Sequence, residues 1–153
     1  MLRQFLVGGP VSICNIAIHA LVMATAIKVT RAVGEIAAPH PSFRLIAVMI
    51  STVSILMVAH LAEVLVWALA YAAVGAAPAA GDRIEFYFAF VNYTTLGYGD
   101  VVPVTRWRLL GPLTAMNGVL LFGWSTAVIF EVLRNALMTS GSETERAKGR
   151  IWP

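Results

Sequence analysis

The stretch Thr94-Thr95-Leu96-Gly97-Tyr98-Gly99-Asp100, preceded by the aromatic run Phe86-Tyr87-Phe88-Ala89-Phe90, stands near the middle of the 153-residue chain. It carries two glycines and lies between two very apolar segments. A bilayer tolerates non-helical backbone only where it is buried in protein or lines a watery path. Glycine adopts positive φ without a Cβ clash, so Gly97 and Gly99 would let the backbone alternate in sign and point successive carbonyls one way. A tight Gly-Tyr-Gly turn between two helices would also explain the glycines. It leaves the paired threonines, Asp100 and the aromatic run without a reason.

Working outward, three apolar segments are long enough to span a membrane. Segment one is Phe5 to Ile27, without a charge. Segment two runs from Leu45 to about Ala73, with Glu63 its only formal charge. Segment three is Leu109 to Phe130, 22 uncharged residues. As a helix that is about 33 Å, matching a hydrocarbon core of about 30 Å. Ile84 to Thr94 is too short to span, and suits a re-entrant helix leading into the irregular stretch. The alanine-rich Tyr71 to Gly81, with Gly75 and Pro78, reads as the end of helix two and an exposed turret.

The composition agrees: 59% hydrophobic and 12% charged, against about 25% charged in soluble domains. The single cysteine, Cys14, excludes a disulfide within the chain. Arg3 before an apolar stretch resembles a signal peptide, but Gly8-Gly9-Pro10 interrupts it and the apolar run continues to Ile27, which favours a retained helix. Segment one lacks the spaced arginines of a voltage sensor, and no internal repeat is visible.

The net charge of +3 is small, and its basic residues sit near segment ends. They read as topology signals and predict no nucleic-acid partner. Lys28, Arg31, Arg44, Arg134, Arg146, Lys148 and Arg150 lie on one side; Arg3, Arg83, Arg106 and Arg108 lie on the other. The seven-to-four bias predicts a multi-pass cell-membrane protein with a cytoplasmic C-terminus and an external N-terminus.

Thr95-Leu96-Gly97-Tyr98-Gly99-Asp100 resembles the K⁺-channel signature T-[VI]-G-[YF]-G-D, and Leu45 to Met138 resembles that family's whole pore module. The resemblance implies an all-α integral membrane fold. It has three transmembrane helices plus one re-entrant pore helix and an extended selectivity filter, in a tetrameric pore. One filter strand cannot encircle an ion, so identical subunits are the implied partners.

The implied permeant ion is K⁺, met by carbonyls of Thr95, Leu96, Gly97 and Tyr98 and by the Thr95 hydroxyl at the cavity end. Gly99, Tyr87, Phe88 and Asp100 would support the filter. Tyr98 would pack on the aromatic pair Tyr87 and Phe88, and the Tyr87 hydroxyl would hold Asp100. Leu96 departs from the usual Val or Ile, which keeps the carbonyl but moves the branch point.

The implied organisation is an added N-terminal helix at 1–30, a cytoplasmic loop at 31–44, the pore module at 45–138 and a short polar tail at 139–153. Ser140-Gly141-Ser142 reads as the helix stop. The tail is too short for a folded ligand-binding domain.

In segment three, Gly118 and Gly123 resemble the inner-helix hinge and its following small residue. Close helix packing explains both equally well. Val119, Phe122, Thr126 and Phe130 recur on one helical face, which the resemblance assigns to the cavity and gate; ordinary packing is the alternative. A ring of Phe130 side chains would block ions by dewetting. Glu131 and Arg134 are spaced to pair.

Three ionisable side chains fall near the middle of spans: His19, His60 and Glu63. They read as a proton-sensitive cluster, since histidine titrates nearest physiological pH, or as a polar pair holding helices in register. As a metal site, H-x-x-E supplies two ligands and needs His19 as the third.

The expected function is passive, selective K⁺ permeation. A non-conducting regulatory subunit is the rival from another class. A transporter of the four-repeat kind carries four such modules in one chain. No activated nucleophile, carboxylate pair or phosphate loop is legible, so neither an enzyme nor a cofactor is expected.

Overall fold

The computed structural model describes residues 1–34, 41–77 and 84–149. Among the described residues four helices follow one another: α1 (Leu2–Gly34), α2 (Pro41–Val74), α3 (Ile84–Tyr93) and α4 (Leu110–Gly149), with one 3₁₀ turn at Thr105–Trp107 before α4. Among the described residues, three stretches are long and apolar enough to cross a membrane: Leu2–Thr30, Ser42–Val74 and Thr105–Met138. A long helix satisfies its own backbone polar groups, which is what a bilayer requires.

Three boundaries differ from the sequence reading. α2 begins at Pro41, not Leu45; proline suits the first turn of a helix, where its missing N–H costs nothing. α1 runs from Leu2 to Gly34, beyond both ends of the Phe5 to Ile27 segment, and passes unbroken through Gly8-Gly9-Pro10 as a retained helix would. Ser140-Gly141-Ser142 does not stop α4, which continues to Gly149. Serine and glycine each cost a helix about 1 kcal/mol or less, and the strong helix formers Glu143, Glu145, Arg146, Ala147 and Lys148 follow at once. Of the turret and the 31–44 loop, residues 78–83 and 35–40 lie outside the described residues.

α2 ends as the glycine predicts. Gly75 has φ +59°. The Gly75 amide donates to the Ala72 carbonyl at 3.3 Å and the Ala76 amide to the Tyr71 carbonyl at 3.0 Å. This is a Schellman stop, in which two otherwise orphaned carbonyls are satisfied. Pro112 sits in the first turn of α4, where proline is tolerated. The Gln4 side chain of α1 accepts from the Leu109 amide at 2.6 Å, just before that helix.

The chain divides into two compact units. The first, Met1–Leu21 with Val58–Trp124, has a core of Val64, Trp67, Tyr71, Phe88, Ala89, Tyr93 and Leu110. Here the pore-helix candidate α3 packs its Phe88 ring on Tyr71, centroids 5.0 Å apart, and the Tyr71 and Thr114 hydroxyls share a hydrogen bond. The second unit, Val22–Met57 with Ser125–Pro153, buries Met23, Ala26, Val48 and Leu56. Its Thr52 hydroxyl donates back to the Val48 carbonyl at 2.7 Å, so a polar side chain is buried at little cost.

Candidate ion-conduction site and its polar support

The backbone after α3 turns out of helix at once. The last carbonyls of α3 take up the departing amides: Phe90 accepts from Thr94, Asn92 from Thr95 and Val91 from Leu96, each at 3.0 Å. From there φ alternates. Thr95 (+60°), Gly97 (+58°) and Gly99 (+77°) are positive, and Thr95 is the only non-glycine with positive φ among the described residues. For a β-branched residue that is an outlier, of a kind that costs roughly 1–3 kcal/mol. The sequence reading placed the special backbone at the glycines and missed Thr95, because threonine carries no signal for positive φ.

Residues 95–100 are all exposed in the single chain. The Tyr87 hydroxyl donates to Asp100 Oδ2 at 2.5 Å, and Asp100 Oδ1 accepts from the Val101 amide at 3.1 Å. Accepting that bond, the carboxylate holds the Tyr87 phenol above its ordinary range. Within one chain Tyr98 remains 68% exposed, and Phe88 is buried against Tyr71 rather than against Tyr98.

The three ionisable groups of the spans do meet. His19 Nδ1 lies 2.7 Å from Glu63 Oε1 and His60 Nδ1 lies 3.0 Å from Oε2. Tyr93, the last residue of α3, donates its hydroxyl to Glu63 Oε2, and that hydroxyl lies 2.9 Å from His60 Nδ1. His19, Glu63 and Tyr93 are fully buried. A second buried network adjoins it. Asn15 Nδ2 donates to Asn117 Oδ1 at 3.0 Å and to the Glu63 carbonyl at 3.2 Å, and Trp67 Nε1 donates to Asn117 Oδ1 at 3.0 Å. The sequence reading missed Asn15, Asn117 and Tyr93. The two asparagines were legible as polar groups in uncharged spans, a pattern that marks interhelical hydrogen bonding.

Gly118 lies in unbroken helix. A Cβ there would stand 2.0 Å from the Tyr93 carbonyl oxygen, whereas one at Gly123 meets nothing within 4 Å. The close-packing reading of Gly118 thus has a contact behind it. Val119, Thr126 and Phe130 are exposed in the single chain. Phe122 leans into the cluster, 4.6 Å from the His60 ring and edge-on to Tyr93 at 5.4 Å. Glu131 accepts from Arg134 at 2.8 Å, as their spacing predicts.

A family model described as Ion channel (Ion_trans_2) matches residues 59–135, half of the chain. The chain belongs to the ion channel family. The matched span takes in the second half of α2, α3, the 94–100 stretch and α4 as far as Asn135. Family and helices together make this a multi-pass membrane protein whose work is ion transport. Comparison with curated proteins and with solved structures returned no match. α1 lies outside the matched span, yet its Asn15 and His19 are bonded into the channel's own buried network.

Proposed function

We propose that this ion channel is K⁺-selective and that four identical subunits surround one pore. The observation that carries this reading is the alternation of positive φ at Thr95, Gly97 and Gly99 in a segment whose following carboxylate is held by the pore helix through Tyr87. Such a backbone presents carbonyls in succession, the arrangement that substitutes for the hydration shell of K⁺. The exposure of residues 95–100 in the single chain fits a strand that other copies cover. The basic-residue bias orients the C-terminus to the cytoplasm, with the Asp100 end of the filter outside.

Purified protein in planar bilayers under bi-ionic K⁺/Na⁺ conditions will reverse far from zero, on the K⁺ side. Replacing Gly97 with alanine, which forces a Cβ into left-handed backbone at about 1–2 kcal/mol per residue, will remove selective current. A wild-type reversal potential near zero overturns the selectivity. Selective current without any other protein also excludes the regulatory-subunit alternative.

Native mass spectrometry in detergent will show a tetramer, since one filter strand per chain cannot enclose an ion. A monomer or dimer that conducts selectively overturns the architecture.

A further inference from the structure

The four polar side chains beside the filter converge more closely than helix packing alone requires. Side-chain ligand atoms of His19, His60 and Glu63 all lie within 4.8 Å of one another, and the Tyr93 hydroxyl is bonded to Glu63. They come from three elements: α1 supplies His19, α2 supplies His60 and Glu63, and α3 supplies Tyr93. All belong to the unit formed by Met1–Leu21 and Val58–Trp124.

We propose that His19, His60, Glu63 and Tyr93 form a site for one divalent transition cation of the Zn²⁺ class. Two imidazole nitrogens, a carboxylate and a phenol oxygen suit such an ion, and no thiolate is needed. Around a tetrahedral ion with bonds of about 2.0 Å, ligand atoms stand about 3.3 Å apart. The separations here are 2.7 Å for His19 to Glu63, 3.0 Å for His60 to Glu63 and 2.9 Å for His60 to Tyr93. Side-chain shifts of a few tenths of an ångström open them to fit.

The charge also closes. One Zn²⁺, one carboxylate, one phenolate and two neutral imidazoles sum to zero, which suits a group held at membrane depth. Starting from a cluster in which one imidazolium offsets the Glu63 carboxylate, the ion enters as two protons leave for bulk water, one from that imidazolium and one from the Tyr93 phenol. His60, 12% exposed where Glu63 is 0%, marks the side of entry. The bound ion would clasp α1 to α2 and to the last residue of α3, two positions before Thr95.

The test uses the full chain in detergent after chelator treatment, with Zn²⁺ alone as the probe. Calorimetry will show one ion bound per chain with a Kd of about 1 μM or tighter. Co²⁺ in the same protein will give the visible bands of a four-coordinate nitrogen–oxygen site. His19→Gln and His60→Gln, each still able to hydrogen-bond, will weaken binding by about 10-fold or more, the loss seen even for outer-shell changes.

No saturable micromolar uptake by the wild type overturns the site whatever the variants do. So does stoichiometric uptake that survives both substitutions together, since the ion is then held elsewhere. Uptake is read without any K⁺ flux, so failure of this site and failure of the channel reading are separate results.

Discussion

Gly118→Ala will destabilise the channel, although alanine is the better helix former by about 1 kcal/mol. The added Cβ would stand 2.0 Å from the Tyr93 carbonyl oxygen, 3.0 Å from its carbon and 3.3 Å from the Tyr93 ring. The nearest of these is backbone and cannot swing aside. Overpacking of this kind costs typically about 1–3 kcal/mol per chain, which exceeds the propensity gain. Tyr93 directly precedes Thr94 and Thr95, so the displacement reaches the strained backbone at Thr95. The variant will unfold at lower denaturant than the wild type, and, on the proposed K⁺-selective tetramer, tetramer content in detergent will fall and selective current will be lost. A hinge at Gly118 predicts the opposite sign: a stiffer α4, unchanged or greater stability, and altered opening only. Stability at or above wild type overturns the packing role.

Glu63→Leu, measured on chelator-treated protein, will lower stability by about 2–5 kcal/mol. Three groups point hydrogen bonds at one fully buried carboxylate: His19, His60 and Tyr93. Two of these bonds cross between helices, from His19 and Tyr93, and the His60 bond lies within α2; at about 0.6 kcal/mol each, the membrane average for interhelical bonds, the loss of all three sums to about 2 kcal/mol. Breaking a buried charged pair by removing one partner sets the upper end, about 3–5 kcal/mol. Leucine also leaves the buried donors without an acceptor, which is worse than never having placed them there. Unfolding in mixed micelles reads the difference. A loss under about 1 kcal/mol would mean that water or neighbouring groups satisfy the donors, and that Glu63 does not organise this region.

The two expectations act on different faces of Tyr93. Its carbonyl is the surface on which Gly118 rests, and its hydroxyl is tied to Glu63. Tyr93, two positions before Thr95, is thus held by α2 through its side chain and by α4 through its backbone.

The sequence by itself determined the elements whose causes are local. Uninterrupted apolar runs set three spanning helices, because a bilayer penalises every unpaired backbone group. Gly75 ended α2, since positive φ is cheap only without a Cβ. Gly97 and Gly99 announced the alternating backbone for the same reason, and a three-residue spacing announced the Glu131–Arg134 pair. Local rules also failed where neighbours outweighed them, at Ser140-Gly141-Ser142 within α4. The tertiary structure alone decided which polar groups meet. Asn15 and Asn117 are 102 residues apart, and His19 and Glu63 are 44 apart. Their meeting depends on the rotation and axial register of whole helices, to which a hydropathy pattern is blind. Tyr93 reads from sequence as one more pore-helix aromatic, and Gly118 as hinge or spacer alike. Only the position of one helix against another turns the first into a link to Glu63 and the second into a contact that leaves no room for a methyl group.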